Sequence, residues 1–259
     1  MKKRVLIVIP VYNDVNGLVK TLTSIRLDSE RYDVLVVDDG SDNLIEASVD
    51  AKEFGIVVLR NAKNLGIENS LNRAIKYAVE MKYDFISRID GGDYWVVGRL
   101  FRQLSLVKSD PELVLVGGAA QHIDENGRLL FIESPPKRHE EIRAMMHIKN
   151  CFIHPSVLLS LECLQHVGNY SSNYKAAEDY ELFFRIVERF KVANLSDVIV
   201  VKVRAENSIS VRKRKTQITS RIRVKVRHFR IFKIICYIGL LRELAMLLAP
   251  VSVIDKLKK

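Results

Sequence analysis

Two stretches of the 259-residue chain place carboxylates where a fold would not put them without a use for them. In VLVVDDGSDN, Asp38 and Asp39 follow directly on four apolar residues, and in SRIDGGDYW, Asp90 and Asp93 bracket two glycines. An acid pair at the end of a buried strand costs desolvation and mutual repulsion unless a ligand or a counter-charge uses it. Carboxylates so placed suit coordination of a cation, or acceptance of hydrogen bonds from ligand N–H and hydroxyl groups. A third pair, Glu178 and Asp179, opens the amphipathic stretch EDYELFFRIVERF, where position alone says only that acids favour the positive end of a helix.

The elements that carry these residues are legible from periodicity. RVLIVI (Arg4 to Ile9), DVLVVD (Asp33 to Asp38), IVVLRN (Ile56 to Asn61), YDFISRID (Tyr83 to Asp90) and LVLVGG (Leu113 to Gly118) read as buried strands. Between them, helices are predicted over about Asn16 to Arg26, Asn43 to Phe54, Glu68 to Met81 and Gly98 to Lys108. Continuous apolar strands alternating with amphipathic helices predict an α/β fold, a mostly parallel sheet covered on both faces. In such sheets ligands sit beyond the carboxyl ends of the strands, which is where PVYN, DDGS and DGGD fall. After Gly118 the pattern changes: AAQHIDENGRLLFIE predicts a hairpin, a helix follows from near His139, and another spans Glu178 to Phe190. DVIVVKVR (Asp197 to Arg204) is the last predicted strand, and the chain from Thr216 on is predicted helical.

Composition narrows the function. No GxGxxG follows the first strand and no GxxxxGK[ST] occurs, which argues against a dehydrogenase or a phosphate-loop enzyme. Cys151, Cys163 and Cys236 have spacings of neither a zinc site nor a disulfide framework and read as buried thiols of a reducing compartment. The net charge of +10 matches the ten lysines and arginines between Arg212 and Lys233, a stretch with no acid. The protein therefore reads as a near-neutral body with a cationic tail, whose partner would be polyanionic. The tail lacks interleaved aromatics, so nucleic acid is not the expected partner.

IVIPVYN, VLVVDDGSDN, NLGIENSLNRAI, SRIDGGDYW, IHPSVLL and GNYSSNYKAAEDYELFFRI stand in the order and spacing of family 2 glycosyltransferases, and the resemblance covers Val5 to Arg204, about four fifths of the chain. It implies the GT-A fold and a bacterial enzyme of surface-polysaccharide or lipopolysaccharide synthesis. Residues 1–207 would then be catalytic, 1–118 binding the nucleotide-sugar and 119–207 the acceptor, with 208–259 a basic, amphipathic helical tail. The resemblance also implies roles. Pro10, Tyr12 and Asn13 would wall the nucleotide site, and Asp38 and Asp39 would hold uracil and ribose of a UDP-sugar, Asp39 being favoured for the base. Asn64 and Gly66 would line the donor or only shape the turn before a helix. Arg88 would face the diphosphate, Asp90 and Asp93 would occupy the metal-binding motif, and Asp179 would be the catalytic base of a single, inverting displacement. Glu178, Trp95, His154 and Arg204 are candidates on the acceptor or lid side, each with an ordinary structural alternative. Lys202 shares the lid region, and Ala205 falls where the family often has histidine.

One departure matters. The family reads D-x-D-D where this chain has Asp90, Gly91, Gly92 and Asp93, so the usual direct ligand of Mn2+ or Mg2+ is replaced by Gly92. Either Asp90 or Asp93 then takes the metal, or metal dependence is weak, or the chain is a catalytically weak binding or assembly subunit of a polysaccharide-synthesis complex. The processivity motif QxxRW is absent, since Trp95 is the only tryptophan, so one sugar per encounter is expected. The segment from Phe229 is too charged to span a bilayer and too apolar to lie free in water. It predicts a helix in the plane of an anionic membrane, with the enzyme cytoplasmic and peripheral on the inner face beside a lipid-linked or saccharide acceptor. Packing on the catalytic domain, or a homodimer interface, is the alternative use of that segment.

Overall fold

The computed structural model describes residues 3–45, 49–204 and 214–248. The middle of the predicted second helix, Ala205, Arg212 and Lys213, the proposed boundary at residue 207 and everything from Ala249 on lie outside them.

The first half is the expected βα alternation. Strands β1 (Val5–Val11), β2 (Asp33–Asp38), β3 (Ile56–Arg60) and β4 (Phe85–Arg88) pair in parallel in the order β3-β2-β1-β4. Helices α1 (Val15–Ile25), α2 (Ala51–Phe54) and α3 (Ile67–Glu80) connect them, and α4 (Arg99–Ser109) follows further along the chain. Side chains alternate across a strand, so Leu6 and Val8 join one apolar layer with Leu71 and Ile75 of α3, while Val5, Ile7 and Ile9 join another with Leu18 and Leu22 of α1. Covering on both faces is why β1 and β2 read as unbroken apolar runs. Helix α2 is far shorter than the predicted Asn43 to Phe54, because Asp50 caps a new start by accepting from the amides of Lys52 and Glu53 (2.9 and 3.0 Å).

The second half is mixed rather than mostly parallel. Two strands too short to show a period were not foreseen, β5 (Tyr94–Trp95) and, later, β8 (Leu158–Ser160). The predicted strand at Leu113 to Gly118 and the first arm of the hairpin are one strand, β6 (Leu113–Ile123), which turns back as β7 (Leu129–Glu133). Strand β8 lies antiparallel between β4 and β6, and β9 (Lys191–Val203) runs parallel along nearly all of β6. That long partner is why β9 begins at Lys191 and not at Asp197. Helices α5 (His139–Met145), α6 (Leu161–Val167) and α7 (Glu178–Arg189) complete the body.

The tail forms α8 (Arg214–Arg227) and α9 (Ile234–Leu248). It is not a detached cationic arm. Arg227 pairs with Glu181 (3.2 Å), Arg230 with Glu188 (3.0 Å), and Lys225, 2 % exposed, with Glu243 (2.8 Å). These cations already have acidic partners, which corrects the expectation that they all face anionic lipid. Helix α9 has reversed polarity: its inward face carries Cys236, Gly239 and Glu243, while Ile234, Ile238, Leu241 and Leu248 are exposed, as is Phe232 in the turn before it. Among the described residues no helix is long and apolar enough to cross a membrane.

Candidate active site

The carboxyl ends of β1, β2 and β4 and the start of α7 bring together most of the residues singled out by the sequence. The loop after β1 is tied to the loop after β2: the Asn13 amide donates to Ser41 Oγ (2.9 Å), Asn13 Nδ2 donates to the Asp42 carboxylate (2.9 Å) and Asn13 Oδ1 accepts the Asp42 amide (2.8 Å). Pro10 still belongs to β1, and Tyr12 projects with nearly half its surface exposed.

Asp38 and Asp39 are both buried, and both carboxylates are taken up by the protein. Asp38 accepts from the Ser41 amide (2.9 Å) and from Arg60 Nη1 (2.7 Å). Asp39 accepts four bonds, from Asn61 Nδ2 (2.8 Å), Ser70 Oγ (2.9 Å) and the amides of Leu65 (3.0 Å) and Gly66 (2.9 Å). A carboxylate has about four acceptor positions, two on each oxygen; Oδ1 takes three of these bonds and Oδ2 only that from the Gly66 amide, so Asp39 organises the 61–70 segment while Oδ2 keeps a position for a further donor. Gly66 enters the site through its amide, whereas the Asn64 side chain is exposed. Arg60, Asn61 and Ser70 were not foreseen; only a buried acid in need of partners hinted at them.

Across the crevice the pattern reverses. Arg88, 3 % exposed, donates through Nη2 to Asp90, while its Nε and Nη1 are buried without a hydrogen-bond partner. Asp93 accepts the Val203 amide on one oxygen (3.2 Å); its other oxygen has no hydrogen bond. Burial pushes the Asp93 carboxyl up, Asp90 adds to the effect, and Lys202 and Arg88 oppose it. Lys202 Nζ stands 3.9 Å from Asp90 and 3.8 Å from Asp93. Leaving buried polar groups unpaired costs roughly 1–3 kcal/mol each, so three such atoms in one place mark a site that a ligand completes.

These residues are braced from behind. Thr21 Oγ1 accepts the Gly92 amide (3.0 Å) and donates to the Asp93 carbonyl (2.7 Å), fixing the glycine turn against α1. Gly92 has φ +92°, and a side chain there would be directed at Asp14 on α1. Arg99, fully buried and lowered to about 9 by desolvation, donates to the carbonyls of Arg88 and Pro155 (both 2.9 Å) and lies over the Trp95 ring. Trp95 itself is buried and donates to Asp28 (2.7 Å), so it packs behind the site and does not line the acceptor side.

Glu178 and Asp179 complete the cluster. Asp179 Oδ1 accepts the Tyr180 amide (2.7 Å) and Oδ2 accepts from Asn150 Nδ2 (2.9 Å). Burial raises its pKa, while that amide, Arg88 and Arg221 hold the rise back. Glu178 is buried with one oxygen unpartnered, and burial and its neighbour Asp179 raise it as well. Upward-shifted carboxylates at a crevice are what general-base chemistry near neutral pH requires. His154 shares a hydrogen bond with Tyr170 (2.9 Å) and is held neutral by burial, with Arg88 and Lys202 adding to the effect. Arg204 turns away, donating to His122 (3.0 Å) and lying over Phe131 of β7.

Asp90 and Asp93 fit a hard divalent cation in one respect: two carboxylates plus phosphate oxygens are the usual donor set for Mg2+ at a nucleotide, and the unpartnered Asp93 oxygen is available to it. No third carboxylate, histidine or cysteine joins them among the described residues.

The profile of Glycosyl transferase family 2 matches residues 6–168. Among curated relatives, the amylovoran biosynthesis glycosyltransferase AmsE of Erwinia amylovora is 31 % identical over 160 residues, covering 61 % of this chain and 58 % of its own. The O-antigen biosynthesis glycosyltransferase WbnJ of Escherichia coli is 30 % identical, covering 50 % of this chain and 52 % of its own. The chain thus spans slightly more than half the length of these two. The UDP-Glc:alpha-D-GlcNAc-diphosphoundecaprenol beta-1,3-glucosyltransferase WfaP of Escherichia coli is 25 % identical, covering 89 % of both. Among solved structures, the mannosyltransferase PcManGT of Pyrobaculum calidifontis with GDP-Man and Mn2+ superposes with a TM-score of 0.67 at 16 % identity, over 95 % of this chain and 70 % of that one. TarS of S. aureus with UDP-GlcNAc gives 0.67 at 17 %, over 95 % and 72 %. These likenesses show the GT-A-like fold.

Proposed function

Since the chain belongs to glycosyl transferase family 2, we propose that it transfers one sugar from a UDP-sugar to a hydroxyl of a lipid-linked or saccharide acceptor, with inversion and with Asp179 as base. The observation that carries this is Arg88, a buried guanidinium with two unpartnered donors between Asp90 and the Glu178–Asp179 pair. Those donors suit the oxygens of a diphosphate leaving group. The name of WfaP supports both a UDP-sugar donor and a lipid-diphosphate acceptor.

The chain's own groups account for the displacement. The acceptor oxygen attacks the anomeric carbon as its proton passes to Asp179, and the bond from that carbon to the diphosphate oxygen breaks on the opposite side. Arg88 takes up charge on the departing diphosphate. A Mn2+ or Mg2+ ion held by Asp90 and Asp93 would add Lewis-acid stabilisation of the leaving group. On the nucleoside side, Asp38 and Asp39 would act through the loops they hold, presenting the edge of the pocket, with Pro10, Tyr12 and Asn13 as its wall.

The reading is tested by UDP release from a panel of UDP-, GDP- and dTDP-sugars, with Asp179→Asn expected to lose at least about 10²-fold in rate while keeping UDP affinity and Tm. A variant retaining more than about a tenth of the rate removes Asp179 as the base, and no release from any donor favours a binding subunit.

Peripheral attachment to the cytoplasmic face of a membrane is part of the same proposal. The exposed apolar face of α9, with the exposed Lys233 just before it, matches an anionic lipid surface beside a lipid-linked acceptor. Flotation with anionic vesicles at low salt should carry the protein up. Dimerisation without flotation would instead assign that face to a second copy.

A further inference from the structure

The segment between α5 and β8 touches the catalytic pair on one side and the tail on the other. On the catalytic side, Asn150 Nδ2 donates to Asp179 Oδ2 (2.9 Å), and Asn150 Oδ1 accepts the Phe152 amide (3.1 Å), which fixes which end of the side-chain amide faces Asp179. On the other side, Ile148 O accepts from Lys225 Nζ (2.8 Å) and Arg242 Nη1 (2.9 Å). Lys225 Nζ also donates to Gly239 O (3.0 Å) and Glu243 (2.8 Å), so one buried ammonium joins α8, α9 and this segment. Helix α9 lies directly on the His147 carbonyl, since a Cβ at Gly239 would come within 1.9 Å of that oxygen. Cys236 Sγ is 3.4 Å from His147 Nδ1, and Tyr180, the residue after Asp179, donates through its hydroxyl to Met146 O.

A buried ion pair such as Lys225–Glu243 is weak evidence for stability, because well-packed apolar residues often serve as well. What it does here is spend three ammonium donors on three fixed acceptors, one of them two residues from Asn150. Resting on the reading of Asp179 as base, we propose that Asn150 is a positioning residue for Asp179, and that the α8–α9 pair is a strut that holds Asn150 in place. The tail would then belong to the catalytic unit as well as to any membrane-facing surface. Charge supports the geometry. The groups that face Asp179 are Glu178 on α7, Arg88 on β4, Tyr170 on the segment before α7 and Arg221 on α8, with Glu68 on α3 facing Glu178. Of these, Arg221 comes from the tail and favours the ionised base.

The test uses the full chain and UDP-glucose, following UDP release against pH, with UDP affinity and Tm measured on every variant. Removing a hydrogen bond to the charged form raises a carboxyl pKa. Asn150→Ala should therefore move the acid limb of kcat up by about one pH unit, a tenfold loss on that limb that shrinks as the pH rises, with UDP affinity unchanged. Asn150→Asp, which adds a like charge, should move it further. Lys225→Met, close in volume but without donors, should move the limb in the same direction by less, and Gly239→Ala should do likewise by lifting α9 from His147. A merely structural role would lower the rate equally at all pH values and leave the acid limb in place, whatever happens to Tm, which Lys225→Met should lower in either case because Glu243 stays buried without its partner. That result for Asn150→Ala overturns the positioning role; for Lys225→Met alone, with Asn150→Ala shifted, it overturns the strut. If Asp179→Asn keeps its activity, the base assignment itself has failed, whatever Asn150 does.

Discussion

The side of the crevice proposed for the nucleoside and the side proposed for the scissile bond treat their carboxylates in opposite ways. Asp38 and Asp39 accept six hydrogen bonds between them, all from the protein, and hold the loops after β2 and β3 in one arrangement. Arg88, Asp93 and Glu178 are as deeply buried, yet each has at least one polar atom without a hydrogen-bond partner among the described residues. Buried polar groups are normally satisfied. On the proposed function the first set is chiefly a scaffold that gives a ligand its shape, and the second a set of charges that the reactants would complete. Substitutions on the two sides should separate cleanly, the first in affinity and the second in rate.

The largest effect is expected at Arg88. Arg88→Met removes the charge but keeps an apolar stem of similar reach; turnover should fall by at least about 10²-fold, a size typical of losing one transition-state charge partner. UDP affinity should fall too, since UDP carries the same diphosphate. Turnover within tenfold of wild type would take Arg88 off the leaving group. On the other side, Asp39→Ala frees Asn61, Ser70 and the amides of Leu65 and Gly66 together. Calorimetry with UDP alone should show binding weakened by roughly tenfold or more, about 1.4 kcal/mol, with a lower Tm. Unchanged UDP affinity would show that the 61–70 segment does not form the nucleoside pocket.

How much of this was legible in the sequence differs between the same two sides. Asp38, Asp39, Asp90 and Asp93 stood out because acids at strand ends break an apolar pattern, and so did the elements that carry them; the Glu178–Asp179 pair, ordinary acids at a helix start, stood out only through the family resemblance. Their partners did not. Asn61 and Ser70 are ordinary loop and helix residues in sequence, and Asn150 lies 29 residues from Asp179; closure of the fold alone joins them. Lys202 was visible only as a cation near the last strand, and its place between two carboxylates follows from the pairing of β6 with β9. Trp95 shows the reverse case: a lone tryptophan beside a polar motif leaves packing and binding equally open in sequence, and its burial and bond to Asp28 support packing.

Metal dependence sharpens the comparison at its weakest point, the glycine turn. Activity should fall at least tenfold in EDTA and return with Mn2+ or Mg2+, with Asp93→Ala more damaging than Asp90→Asn at limiting metal. Because Lys202 lies within 4 Å of both carboxylates, it opposes a divalent ion there by like charge. Lys202→Met should therefore lower the Mn2+ concentration needed for half-activation several-fold. Full activity in EDTA, lost in Lys202→Met, would mean instead that the lysine supplies the positive charge by itself.

The smallest effect is one of stability, and its sign follows from Glu178. Burial first, then Asp179 and Glu68, push this carboxyl from the ordinary 4.5 up to about 7 in the folded chain. A carboxyl raised in the folded state favours folding while it is protonated. Its contribution is complete below the unfolded value near 4.5 and is lost as the pH rises through the folded value near 7. At pH 8 the ligand-free protein therefore holds an ionised glutamate, one oxygen of it unpartnered, against a second raised carboxyl. Glu178→Gln keeps the shape and removes the charge. Its Tm should exceed that of the parent by about 2–4 °C at pH 8, the shift that 1 kcal/mol gives a chain of this size, and should converge with it near pH 4.5, where both side chains are neutral. Asp38→Asn, in which a paired carboxylate loses its bond to Arg60, should lower Tm at pH 8 instead. A Glu178→Gln variant less stable than the parent at pH 8 would show that the unpartnered oxygen on this side of the crevice already has its counter-charge, and the contrast between the two sides would not hold there.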